Sequence, residues 1–206
     1  MMLWLSAILF LAGALCLRID RQAASYFRER LDTPLLQFAW RITNWAKGLP
    51  WIIAAVVFYF AVQALMAANG ETPFLRAVSD YSLALLASFV VSSIVLHTIK
   101  IFLGRRRPRD DFEHGLYGFR YFTWELQFDS FPSGHAMTIF CVAVVLSAVV
   151  PTLAPLWLLL AGGLAATRAM MTAHFLSDVL IGAAIGILAT RETLIIGFPQ
   201  LAPPWF

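Results

Sequence analysis

Six apolar stretches with few charges divide the sequence: Met1–Leu17, Leu49–Ala68, Tyr81–Leu103, His135–Val150, Ala154–Arg168 and Phe175–Thr190. A bilayer offers no water to backbone N–H and C=O groups, so segments of this kind fold as helices. About 20 apolar residues cross the hydrocarbon core, and shorter runs cross it when tilt or snorkelling ends add length. With 60% hydrophobic and only 13% charged residues among 206, the chain falls outside the composition of soluble domains. The polar sequence left over is too little for a second folded unit. The expectation is one all-α domain over residues 1–206, a polytopic membrane bundle of about six transmembrane helices, with the lipid bilayer as partner and no nucleic acid.

The first run has no Lys or Arg ahead of it and no small-residue cleavage site, so it reads as a retained helix rather than a secretory signal. Cys16 and Cys141 both sit in apolar stretches, which suggests neither a disulfide nor a cysteine metal site. Between the first two spans, Leu35, Phe38, Ile42 and Trp45 recur at helical spacing after Thr33-Pro34, predicting a helix that lies flat at the interface. The connection Gly104–Phe131 mixes Arg105, Arg106, Arg107, Asp110 and Asp129 with Tyr117, Phe119, Tyr121 and Trp124: a charged loop with aromatic anchors. Pro199, Pro203 and Pro204 predict a non-helical tail.

Following the chain through six spans brings the end of the third, the start of the fourth, the end of the fifth and the start of the sixth to one membrane face. Lys100, Arg107, Pro132–His135, Arg168 and His174 all fall there. Cations at helix ends can merely complement the helix dipole or bind anionic headgroups. Ser133, the Gly134 amide and the free N–H groups of a helix start can cradle a phosphate oxygen, with His135 projecting beside it. If the sixth span begins near His174, then Asp178, four residues on, shares a helix face with it and can hold the imidazole in one tautomer. Three cations, an anion cradle and two histidines, one backed by a carboxylate, are what phosphoryl transfer without a metal requires. In that scheme His174 attacks phosphorus, His135 protonates the leaving oxygen and later activates water, and Lys100, Arg107 and Arg168 neutralise the phosphoryl oxygens. His97 reads as a satisfied bundle histidine and His114 as solvated. No pair of the four histidines has a metal-ligand spacing, so neither metal nor other cofactor is expected.

Lys100 with Arg107-Pro108, Pro132-Ser133-Gly134-His135, and Arg168 with His174 and Asp178 resemble the three-part signature of the type 2 phosphatidic acid phosphatase (PAP2) superfamily. The resemblance covers roughly residues 80–190. It implies a six-helix membrane fold, a metal-independent His nucleophile and lipid phosphates or isoprenoid diphosphates as substrates. Thr167 stands where the family's third motif usually has serine, and its hydroxyl is expected to keep the phosphate contact.

A site at the membrane surface suits an amphiphile whose phosphate reaches the cations while its chains stay in lipid. Phosphatidylglycerol phosphate, phosphatidic acid, undecaprenyl diphosphate and lipid A all qualify, and the motifs do not separate them. Alternatives are a lipid phosphotransferase on the same fold or a non-catalytic protein that binds anionic lipid. Arg18, Arg21, Arg28, Arg30, Arg41 and Lys47 share the site's face, which by the positive-inside rule is cytoplasmic. The resemblance to bacterial members implies the reverse, an inner-membrane protein with its site facing the periplasm, and the expectation follows the resemblance.

Overall fold

The structure, a computed structural model, describes all 206 residues. Each apolar stretch forms a helix: α1 (Met2–Cys16), α4 (Gly48–Asn69), α5 (Pro73–Phe102), α7 (Gly134–Val149), α8 (Ala154–Met170) and α9 (Leu176–Gly197). The third helix starts eight residues before the expected boundary, where the Thr72 hydroxyl caps Leu75 N–H and Pro73 fits the first turn. The sixth runs seven residues past it and takes the Arg191–Glu192 pair into the helix. Four helical segments, Pro34–Asn69, Pro73–Phe102, Pro151–Met170 and Leu176–Gly197, are long and apolar enough to cross a membrane. The chain is a multi-pass membrane protein.

The two shorter helices have separate explanations. α1 bends by 81° into α2 (Asp20–Arg28), an amphipathic helix on the site's face that the apolar pattern did not reveal. α7 has only 16 residues, about 24 Å at the helical rise, against a hydrocarbon core of about 30 Å. Twelve of those 16 are buried, so α7 is sheathed by protein and need not match the bilayer itself. The segment expected at the interface is helical as read, α3 (Pro34–Ile42), and a 3-10 turn at Thr43–Ala46 carries it into α4 as part of the Pro34–Asn69 segment. The charged loop is more ordered than its composition suggests. It contains strands β1 (Leu103–Arg105) and β2 (Phe119–Tyr121), paired antiparallel with Gly104 opposite Arg120, and a short helix, α6 (Pro108–His114).

α9 meets α7 through Gly182 and Gly186, a small-residue pair one turn apart of the kind that lets membrane helices approach closely. A Cβ on Gly182 would lie 2.3 Å from the Ser133 carbonyl oxygen, and one on Gly186 would lie 2.4 Å from that of Met137. Ser133 N–H also donates to the Asp178 carbonyl at 2.9 Å. The start of α7 is therefore pinned to the first turn of α9, which sets His135 beside the loop that carries His174. On α9's other side, Ser6 of α1 donates to the Ala184 carbonyl at 3.0 Å. The Met1 ammonium reaches the Trp205 carbonyl at the membrane face opposite the site.

Candidate active site

α8 ends at Met170, and the Arg168 carbonyl accepts from both Ala173 N–H (3.0 Å) and His174 N–H (3.1 Å). Thr172 turns the chain with a left-handed φ of 51°. The six-residue spacing of Arg168 and His174 is thus the size of one closed turn, which delivers both side chains to one place. His174 is buried, and its Nδ1 lies 2.8 Å from the Ser130 carbonyl oxygen. A carbonyl only accepts, so Nδ1 carries the hydrogen and Nε2 keeps a free lone pair. Burial holds the imidazole below its usual range; Asp178 pulls the other way, while Arg107 and Lys100 add to the depression. Burial thus favours the uncharged ring, with the lone pair of Nε2 unengaged.

The expected pairing of His174 with Asp178 is corrected by this geometry. His174 precedes α9 instead of sharing a face of it, and Asp178 Oδ2 stands 3.8 Å from Nδ1, beyond hydrogen-bond distance. The carboxylate instead accepts from Phe175 N–H at the start of its own helix (2.9 Å), from Ser130 Oγ (2.6 Å) and from Arg105 (2.6 Å). Ser130 joins the two groups: its carbonyl fixes the imidazole and its hydroxyl fixes the carboxylate.

Lys100 and Arg107 meet at Asp129. Arg107 donates to both carboxylate oxygens, at 2.8 and 2.9 Å, and Lys100 Nζ donates to the Asp129 backbone carbonyl. A planar two-pronged guanidinium is suited to carboxylate and phosphate alike. Burial would raise the Asp129 carboxyl, but the hydrogen bonds and charge of Arg107, with Lys100 and His174, outweigh it and hold the group below the usual range. Beside this pair a groove of about 430 Å³ opens, lined by His97, Lys100, Trp124, Leu126 and Asp129 among others. His97 is exposed along this groove, not satisfied within the bundle; His114 is exposed as expected.

Arg168 donates to Thr43 Oγ1 at 3.1 Å, and its buried Nε has no partner. The Thr167 hydroxyl does not face a phosphate position as expected. It is buried and donates to the Leu164 carbonyl (2.6 Å), with Thr43 Oγ1 2.9 Å away. Ser133 is likewise fully buried, its hydroxyl capping α7 through Ala136 N–H at 3.5 Å. Ser133 therefore shapes the helix start, while Gly134 and His135 remain partly exposed at its mouth. Arg168, His174, Lys47 and Arg107 all lie within electrostatic reach of His135. The structure thus brings every sequence-predicted residue to one end of the bundle, with Ser133 and Thr167 in supporting positions.

Sequence reasoning missed Arg105, Asp20, Ser130, Asp129, Thr43 and Lys47. Arg105 is fully buried, although nothing in an Arg-Arg-Arg run marks the first as different. Its guanidinium lies over the rings of Phe175 (4.1 Å), Phe119 (4.9 Å) and Tyr117 (5.4 Å), and donates to Asp178 and Asp20. Asp20 did carry a signal: an acidic side chain three residues after the apolar run Met1–Leu17 is costly there unless paired.

Comparison with known proteins bears on the fold and the family. A lipid A 1-phosphatase of Rhizobium etli is 32% identical over 102 residues, 50% of this chain and 44% of that protein, so the match spans less than half of that relative. The Rhizobium johnstonii protein of the same name is 25% identical over 197 residues, 94% of this chain and 80% of that one. The crystal structure of Aquifex aeolicus LpxE superposes with a TM-score of 0.58 at 19% identity, over 86% of this chain and 95% of that one. That of the transmembrane PAP2-type phosphatidylglycerolphosphate phosphatase from Bacillus subtilis gives 0.63 at 20% identity, over 98% of both chains. At such identities the two structures speak to the fold, and they share it. The match to the model of the PAP2 superfamily runs from residue 81 to residue 200 and takes in all three motif segments, so the chain belongs to that superfamily.

Proposed function

We propose that residues 1–206 form a single catalytic domain that hydrolyses a membrane lipid phosphate without a metal, through a phosphohistidine on His174. One observation carries the reading: a buried imidazole whose Nδ1–H is fixed on the Ser130 carbonyl, leaving Nε2 free at the end of the bundle where Arg107 and Lys100 meet. Nε2 forms an N–P bond as the P–O bond to the lipid breaks, and His135 gives the leaving oxygen its proton. Water then attacks phosphorus, loses a proton to His135, and the N–P bond breaks to release orthophosphate. Arg107, Lys100 and Arg168 bind the phosphoryl oxygens, with Arg107 exchanging the Asp129 carboxylate for the substrate, and the Gly134 end of α7 adds backbone donors.

The groove beside Lys100 and the exposed Trp124 and Leu126 at its rim suit a substrate whose chains stay in lipid while its phosphate enters the site. The lipid A 1-phosphate is the first candidate, because two relatives carry the name lipid A 1-phosphatase. Purified protein in mixed micelles is expected to release phosphate from lipid A in excess chelator, ahead of phosphatidic acid, phosphatidylglycerol phosphate and undecaprenyl diphosphate. Loss of release with chelator, restored by magnesium, overturns the metal-free mechanism; a different order in the panel overturns the substrate.

The site is proposed to open on the periplasmic side of a bacterial inner membrane, as membership implies and against the arginine count of residues 18–47. In a Cys16→Ser background, Glu113→Cys is expected to react with an impermeant maleimide in spheroplasts while Glu71→Cys does not. The opposite pattern inverts the orientation.

A further inference from the structure

We infer that Asp20, at the bend between α1 and α2 and outside the residues that match the family model, is a positioning residue for the reaction: it completes a buried Asp20–Arg105–Asp178 chain behind His174. The inference rests on the phosphohistidine reading above. Asp20 is fully buried, and its side-chain hydrogen bonds all go to Ser177 and Arg105. Its Oδ1 accepts from Ser177 N–H (3.0 Å), in the first turn of α9, and its Oδ2 accepts from Ser177 Oγ (2.5 Å) and from Arg105 (2.8 Å). Arg105 uses its other terminal nitrogen on Asp178 (2.6 Å) and on Ser177 Oγ (2.8 Å). Asp178 reaches Ser130, and Ser130 holds Nδ1–H of His174. Four separate parts of the chain, the α1–α2 bend, strand β1, the segment before α7 and the start of α9, are fastened by this one network.

Its charge balance has a chemical consequence. Two carboxylates share one guanidinium, so the closed network carries one negative charge in excess. When Nε2 bonds to phosphorus while Nδ1 keeps its hydrogen, the imidazole gains positive charge. That excess negative charge stabilises it where little water can reach. With Asp20 absent, Arg105 would satisfy Asp178 alone, the excess would vanish, and the imidazole would face Arg107, Lys100 and Arg168 with less opposition. The other groups bearing on His174 are Asp178 on α9, Lys100 on α5, Arg107 and Asp129 in the loop, His135 on α7, and Arg168 at the end of α8. All of them stay in place in an Asp20 variant.

Asp20→Asn keeps the shape and, with its amide oxygen toward Ser177 Oγ and Arg105, two of the three hydrogen bonds; it removes the charge and the acceptor for Ser177 N–H. It is expected to lower kcat about tenfold, with KM for the lipid within about twofold. The acid limb of the kcat/KM profile, where His174 must be neutral to attack, is expected to move to lower pH by about half a unit, because the imidazolium loses support. Asp20→Glu, which restores the charge, is expected to recover most of kcat and the wild-type limb. A purely structural role would scale activity with the folded fraction and leave the limb where it was. That result, or wild-type kinetics in Asp20→Asn, overturns the inference. If Asp20→Asn does not fold, Ser177→Ala decides. It loosens Asp20 beside Arg105 and is expected to cost about threefold in kcat with the limb moved the same way, and wild-type kinetics there overturn the inference. Wild-type turnover and His174→Ala are measured in the same series, so an inactive wild type refutes the phosphatase reading rather than the role of Asp20.

Discussion

Replacing His174 with alanine is expected to lower turnover of a lipid phosphate by about four orders of magnitude or more, with the helical fold and thermal unfolding close to wild type. Loss of a covalent nucleophile typically has an effect of that size, because no neighbouring group can replace the bond it forms. The fold should survive because the imidazole makes one hydrogen bond, to the Ser130 carbonyl, while the turn around it is closed by backbone bonds to Arg168. The measurement pairs phosphate release with trapping of the intermediate. Wild-type enzyme quenched during turnover of a phosphorus-labelled lipid should carry an acid-labile, base-stable label, and His174→Ala should carry none. A variant retaining a tenth of wild-type turnover, or a label that persists in it, removes His174 from the chemistry. If His135 is the residue that activates water, its alanine variant should still take up label when given a substrate with a good leaving group.

Much of this site was legible before any coordinates, for identifiable physical reasons. A membrane helix declares itself by an uninterrupted apolar run, so all six helices and the face shared by Lys100, Arg107, His135, Arg168 and His174 follow from counting spans. The boundaries moved where polar residues still fit a helix, as at Thr72-Pro73 and at Arg191-Glu192. The arrangement inside the charged loop was not legible, because the β1–β2 pairing depends on three residues on each side and leaves no periodicity to detect. The division of labour among the arginines was hidden as well. Arg105, Arg106 and Arg107 read alike in sequence, yet Arg105 is enclosed by three aromatic rings while Arg107 opens toward the site. The spacing of His174 and Asp178 suggested a direct pair on one helix. The helix starts two residues after His174, so the carboxylate turned to the helix start and a backbone carbonyl took the imidazole.

The enclosure of Arg105 makes it the position at which one substitution should do most harm to the folded state. Arg105→Met is expected to cost about 3–5 kcal/mol of stability, because it preserves bulk while leaving Asp20 and Asp178 buried together without a counter-charge. Methionine also offers no donor to the Asp20 and Asp178 oxygens that Arg105 now satisfies, and no cation to the rings of Phe175, Phe119 and Tyr117. Arg105→Lys keeps the charge but cannot reach both carboxylates with one planar fork, so its stability should fall between the two. Thermal unfolding in detergent, followed by helical signal, ranks the three proteins, and wild-type stability in Arg105→Met would show that the buried charges are not what holds the α1–α2 bend to the site. Adding Asp20→Asn to Arg105→Met removes one of the two stranded charges and should recover part of the loss. Two independent sites would give additive losses, whereas members of one network should not. The same comparison separates the network's two roles: Asp20→Asn alone leaves Arg105 and Asp178 as a neutral pair, so its effect should fall on turnover, while Arg105→Met should fall first on the fold.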